Sequence, residues 1–239
     1  MDEGYRAMLN SDLVQDKRFG VEPETRVRRA RLILADDHKI LLEGLRRILS
    51  ASEFDIVAEV EDGRSLVNAA AELKPDLIVT DFTMPLLNGL EASRQILRRD
   101  PRTKILMLSM HQNTAYAIDA WHAGVRGYVL KCAESRTLID AIRRVLEGQL
   151  YFEPGMTEAV LNSVRPRQMH ERDYNGELTQ RQREVLQMLA EGKAPKEIAG
   201  VLGISARTVE FHKYRIMEAL KLHSVPELAV YAAKNGMVG

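Results

Sequence analysis

Cysteine occurs once, at Cys132, so the chain can form neither an internal disulfide framework nor a Cys-cluster zinc site. Net charge is absent as well. The 34 Lys and Arg residues balance 34 Asp and Glu, which removes any whole-chain electrostatic argument for nucleic acid or membrane. Long apolar runs are also missing. The longest, such as Leu77–Thr80 and Ile105–Leu108, fall far short of the roughly 20 residues a bilayer span requires. The segment Met1–Gly20 is charged throughout and has no apolar signal stretch, so a cytoplasmic protein without membrane attachment is expected. What is present is ordinary for a soluble protein with a core: 45% hydrophobic and 28% charged residues in a chain of 239. That length favours two domains over one.

The charges are more informative when divided. Residues 1–29 carry six acids and six bases without periodicity, which reads as an N-terminal extension over 1–30. Residues 30–153 hold 18 acids and 16 bases, and residues 154–239 hold 10 and 12. From Arg31 onward, short apolar runs alternate with amphipathic stretches. The runs Leu32–Ala35, Asp55–Val60, Leu77–Thr80, Ile105–Ser109 and Gly127–Leu130 predict strands. Between and after them, Ile40–Leu49, Ser65–Lys74, Gly89–Arg99, Ala115–His122 and Ser135–Glu147 predict helices. Five β–α units in tandem imply an α/β fold, a doubly wound five-stranded parallel sheet covered on both faces. Pro154, Gly155, Pro166 and a polar run then interrupt the pattern, so a linker is placed at 151–175, with a short helix near Ala159–Val164. Residues 176–239 read as a second, all-α domain.

Three carboxylates stand where predicted strands end: Asp36 and Asp37 after the first, Asp81 after the third. One such Asp is ordinarily a turn or cap residue. In a flavodoxin-like strand order, however, the first and third strands are neighbours at the ligand-binding switch point. Carboxylates gathered there repel one another, and a hard divalent cation such as Mg²⁺ relieves that. The fourth predicted strand ends in Ser109 and the fifth is followed by Lys131, adding a hydroxyl and an ammonium. This set suits phosphoryl transfer onto Asp81.

The stretches Ile33-Leu34-Ala35-Asp36-Asp37-His38, Val79-Thr80-Asp81-Phe82-Thr83-Met84-Pro85, Leu108-Ser109-Met110-His111 and Gly127-Tyr128-Val129-Leu130-Lys131 resemble the receiver domain of bacterial two-component response regulators over 31–150. The resemblance implies that Asp81 accepts a phosphoryl group from a sensor histidine kinase. It implies Mg²⁺ held by Asp36, Asp37, Asp81 and the backbone carbonyl of Thr83. Ser109 would be the switch hydroxyl, Tyr128 the aromatic that turns inward with it, and Lys131 the partner of the phosphoryl oxygens. Cys132 departs from the pattern, standing where many receivers have proline. Thr83 and His111 occupy positions that tune phosphoryl lifetime in such domains.

In the second domain, Ile198, Val201 and Leu202 form an apolar face, Gly203 permits a sharp turn, and Ser205 can cap a further helix to about Leu220. This is a helix-turn-helix pattern, whose second helix lies in the major groove of double-stranded DNA. Val209, Ile216 and Leu220 define its buried side, while Arg207, Glu210, Phe211, Tyr214 and Glu218 project outward. Two aromatics on an outward face point to a partner surface rather than to solvent. Glu210, Phe211 and Tyr214 are base-contact candidates, and Lys196, Thr208, Lys213 and Arg215 phosphate-contact candidates. His212 falls nearer the buried side. Preceded by Leu178-Thr179-Gln180-Arg181-Gln182-Arg183-Glu184-Val185-Leu186, the segment resembles the LuxR-type DNA-binding domain over 176–239. A receiver followed by this effector is similar to the NarL/FixJ class of response regulators. That resemblance implies a phosphorylation-controlled transcription regulator, a homodimer when phosphorylated or bound to DNA, and no enzyme beyond the receiver's own phosphorylation and dephosphorylation. Two other readings compete: a phosphohydrolase with an Asp nucleophile, and a DNA binder indifferent to phosphorylation.

Overall fold

A computed structural model describes residues 28–110, 112–163 and 178–238. The extension over 1–30 lies almost wholly outside the described residues, as do His111 and the linker from residue 164 onward.

The first domain alternates β1 (Ala30–Ala35), α1 (Lys39–Ser50), β2 (Phe54–Val60), α2 (Gly63–Leu73), β3 (Leu77–Asp81), α3 (Gly89–Arg99), β4 (Lys104–Ser109), α4 (Thr114–His122), β5 (Gly127–Leu130) and α5 (Ser135–Leu146). With a sixth strand, β6 (Tyr151–Phe152), these strands form one parallel sheet in the order β2-β1-β3-β4-β5-β6, so the order in which strands are added reverses between β1 and β3. The inner strands β3 and β5 are buried along their whole length because both faces of the sheet are covered, whereas the edge strand β2 exposes Asp55 and Glu59. Ile33, Ile78, Ile105, Met107 and Tyr128 point to the side of α2, α3 and α4. Leu32, Leu34, Val79, Leu106 and Val129 point to the side of α1 and α5. Asp62 caps α2 and Asn88 caps α3, each accepting backbone N–H groups.

The sheet has one strand more than the five expected. After α5, Gly148 takes φ +86 and turns the chain back, and β6 (Tyr151–Phe152) pairs in parallel with β5. Two residues are too few to show periodicity, so the sequence pattern does not reveal this strand. α6 (Pro154–Ser163) follows, and its Met156 and Val160 are buried in the same core layer as α4. Residues 151–163 therefore pack on the first domain.

The second domain is four helices: α7 (Gln180–Ala190), α8 (Pro195–Leu202), α9 (Ala206–Leu220) and α10 (Val225–Lys234). Val185, Leu186, Ile198, Val209, Ile216 and Leu228 are its fully buried centre. Thr179 and Gln182 cap α7 reciprocally, and Ser205 caps α9 through the N–H of Thr208. Gly203, at φ +63, makes the turn between α8 and α9.

Candidate functional sites

β1 and β3 are hydrogen-bonded neighbours, so their carboxyl ends bring Asp36, Asp37 and Asp81 together. Two glycines allow the chain beyond β3 to fold tightly here. A Cβ on Gly89 would stand 1.8 Å from the carbonyl oxygen of Asp81, and one on Gly63 would stand 1.9 Å from that of Leu87. Lys131 follows β5, and its N–H donates to the carbonyl of Ser109 at 2.8 Å. From there its ammonium reaches 2.7 Å from Asp36 Oδ2 and 2.7 Å from Asp81 Oδ2. Thr83, Ser109 and Lys131 line one cleft of about 600 Å³ with Asp37, His38 and Asp81. Tyr128 is fully buried and shares a hydrogen bond with Ser109.

The electrostatics follow from that geometry. Burial raises the Asp81 carboxyl to about 6; Lys131 opposes this, and the charge of Asp36 adds to it. Burial works against the charge of Lys131, yet its hydrogen bonds to Asp36 and Asp81 outweigh that and raise it. Tyr128 is raised to about 12, chiefly by burial. Oxygen atoms of Asp36, Asp37 and Asp81, with a ring nitrogen of His38, lie within 4.8 Å of one another. Carboxylates so close, with Asp37 open to solvent, are a donor set that fits a hard divalent cation. His38 turns its Nδ1 to Asp36 at 3.1 Å and to Asp37 at 2.9 Å.

The outward side of α9 carries Arg207, Phe211, Tyr214 and Arg215, all exposed, with Thr208, Glu210 and Lys213 half-buried. Lys196 is exposed on α8. Val209 and Ile216 are buried as expected, whereas Leu220 is only half-buried at the end of the helix. Several candidate phosphate contacts are occupied within the helix: Lys213 pairs with Glu210 at 2.5 Å, Arg215 with Glu218 at 2.7 Å, and Thr208 Oγ1 with Ser205 Oγ at 2.8 Å. His212 is held below its ordinary value by burial and by Arg181.

Sequence reasoning missed a group of residues on α7 and at its C-terminal cap that reach the first domain. The side-chain amide of Gln187 donates to the carbonyl of Met84 at 2.8 Å and accepts from the N–H of Asn88 at 2.8 Å. Glu191 accepts from the N–H of Leu86 at 3.0 Å and, with Ala190 and Val238, lines the acidic cleft. Leu86 has φ +66, a left-handed backbone that a leucine adopts only when its surroundings hold it. Arg183 pairs with buried Glu91 at 2.9 Å, and Gln95 donates to Glu184 at 3.0 Å. These partners stand about 90–100 positions apart, and no local pattern marks them.

Two family descriptions match the chain: the response regulator receiver domain over residues 32–143, and bacterial regulatory proteins of the luxR family over residues 176–232. The chain is 32% identical over 222 residues to the transcriptional regulatory protein DegU of Brevibacillus brevis, covering 87% of this chain and 94% of that one. It is 34% identical over 214 residues to the oxygen regulatory protein NreC of Staphylococcus carnosus, covering 87% and 99%. Among solved structures it is similar to RcsB from Salmonella enterica serovar Typhimurium bound to a promoter in the presence of phosphomimetic BeF3−. That likeness has a TM-score of 0.56 at 26% identity and covers 87% of this chain and 100% of that chain.

Proposed function

Because the chain belongs to the NarL/FixJ class of two-component response regulators, a receiver joined to a LuxR-type DNA-binding domain, we propose that Asp81 is the residue through which phosphorylation controls it. The protein is a DNA-binding transcription regulator under phosphorylation control, of a family that regulates transcription rather than turning over substrates. One observation carries the assignment to Asp81. The Lys131 ammonium lies 2.7 Å from both Asp36 and Asp81 in a cleft shared with Ser109.

A carboxylate oxygen of Asp81 attacks the phosphorus of a phosphohistidine on a sensor kinase. The O–P bond forms as the P–N bond breaks, and the imidazole leaves. Lys131 stands where the transferred oxygens carry their charge. Asp36, Asp37, Asp81 and the Thr83 carbonyl would hold Mg²⁺, which supplies positive charge to the phosphoryl oxygens when bound. The Ser109 hydroxyl exchanges its bond to Tyr128 for one to a phosphoryl oxygen, and Tyr128 follows it. Phe82, next to Asp81, packs on Tyr116 of α4 with ring centroids 5.0 Å apart, so a change at the site is felt at α4. The resulting shift biases a pre-existing equilibrium toward a homodimer, whose two α9 helices read paired half-sites of double-stranded DNA. As a DNA-binding regulator the protein works in the cytoplasm; among the described residues no helix is long and apolar enough to cross a membrane.

The test is labelling with acetyl phosphate and Mg²⁺. Wild type is expected to take up one phosphoryl group per chain and Asp81→Asn none. Undiminished labelling of Asp81→Asn would place the acceptor elsewhere.

A further inference from the structure

Docking of the second domain on the receiver covers one working surface and spares the other. α7 lies against the β3–α3 connection. Gln187, which is 1% exposed, holds the backbone at Met84 and Asn88, and Glu191 holds it at Leu86. The end of α10 continues this contact. Gly236 sits so near that an added Cβ would be 2.9 Å from Tyr116 and 3.0 Å from Phe82, the residue beside Asp81. Ala190, Glu191 and Val238 thus form one wall of the cleft that contains Asp37, Asp81, Ser109 and Lys131. The outer face of α9 stays open, with Phe211 61% and Tyr214 68% exposed. Docking of this kind does not mask the DNA-reading helix. What it restricts is the approach to Asp81.

We propose that Gln187 and Glu191 determine which phosphodonor the receiver accepts: the docked form takes a small acyl phosphate, and a phosphohistidine carried on a helical domain reaches Asp81 only after the two domains part. The proposal rests on the reading of Asp81 as phosphoacceptor. A cleft of about 600 Å³ is of the size that receives small molecules. A helix with its side chains is about 10–12 Å across, so a donor presenting packed helices meets the α7 and C-terminal wall. The chemistry at Asp81 is the same for both donors. An O–P bond forms while either the P–O bond to an acyl group breaks, releasing a carboxylate, or the P–N bond to imidazole breaks, releasing a histidine that takes up a proton. Only access differs.

The test measures phosphorylation rates of the full chain with two donors, acetyl phosphate and the phosphorylated dimerisation-and-histidine domain of a sensor kinase. It compares wild type with the double variant Gln187→Ala, Glu191→Ala. Losing these hydrogen bonds is expected to raise the rate from the helical donor on the order of tenfold. The acetyl phosphate rate should change less than about twofold, because the small donor does not require parting of the domains. Retained DNA binding shows that the variant's second domain is folded. Arg183→Leu, which removes the pair with Glu91, is the second variant and should act in the same direction. Equal acceleration with both donors overturns the proposal, and so does an unchanged ratio of the two rates, including no labelling by the helical donor in any variant. Asp81→Asn separates the two readings, since label persisting in it defeats the acceptor assignment whatever the ratio.

Discussion

The side chains of Asp81 and Lys131 are almost entirely removed from water and paired at 2.7 Å, whereas Phe211 and Tyr214 expose well over half of their surface and, among the described residues, have ring contacts only with their own neighbours on the helix. The receiver's site is assembled from the ends of four strands, and burial gives it perturbed protonation and fixed geometry. The face of α9 is laid out along one helix in contact with solvent, and its charges are paired three residues apart, as on any soluble helix. A buried cluster announces its chemistry through the cost of gathering like charges. The exposed face proposed to read DNA does so only through what it leaves uncovered, here two aromatics.

The sharpest way to separate the two regions is Asp81→Asn. It should abolish labelling by acetyl phosphate completely while leaving the affinity of the unphosphorylated protein for DNA unchanged, as measured by mobility shift. A fall in that basal affinity would show that the regions are not separable. Lys131→Ala comes next. It leaves Asp36 and Asp81 buried and facing each other, which should cost about 3–5 kcal/mol, seen as a lowered Tm. Added Mg²⁺ should recover part of that loss, because a cation then replaces the ammonium. The matched change on α9, Arg215→Ala, breaks only a solvated pair with Glu218 and should leave the Tm at the wild-type value.

Phe211→Ala and Tyr214→Ala should weaken specific DNA binding by about 1–3 kcal/mol each, roughly 5- to 150-fold, without moving the Tm. Equal loss on non-specific DNA would make these residues packing or backbone groups rather than readers of sequence. The smallest effect is that of pH. As the proposed phosphoacceptor Asp81 must be ionised to attack, and its carboxyl is raised to about 6. The labelling rate should therefore climb as pH rises through about 6 and level off above it. The midpoint should move lower as Mg²⁺ is increased, because the cation and the proton compete for the same oxygens. For stability the sign is opposite. The folded protein holds a proton on Asp81 that the unfolded chain has released, so this group's contribution falls as pH rises from about 4 to about 6. A labelling rate flat from about pH 5 to about pH 8 at low Mg²⁺ would contradict the first statement, and a Tm that does not fall between about pH 4 and about pH 6 the second.

Much of this was legible in the sequence. Every strand and helix of the five β–α units follows from apolar spacing, with ends displaced by a residue or two. The cleft residues Asp37, Asp81, Thr83, Ser109 and Lys131, and Asp36 buried beside them, are visible because each stands at or just beyond a strand end, and a parallel sheet brings its strand ends to one edge. The strand Tyr151–Phe152 was not legible, because two residues carry no period and their pairing depends on β5 already being in place. The grip of Gln187 and Glu191 was not legible either. On α7 and at its C-terminal cap they read as polar residues of an amphipathic helix, and their partners on the first domain are backbone groups, which have no sequence signature.

The sequence by itself determined the two domain types, the order of their elements and the identity of the acidic and basic groups, because periodicity and strand-end chemistry are local. Only the tertiary structure decided how the two domains meet. It set α7 and the C-terminal residues beside Asp81 and left α9 open, since contacts between residues about a hundred positions apart depend on which surfaces fit when both cores are complete.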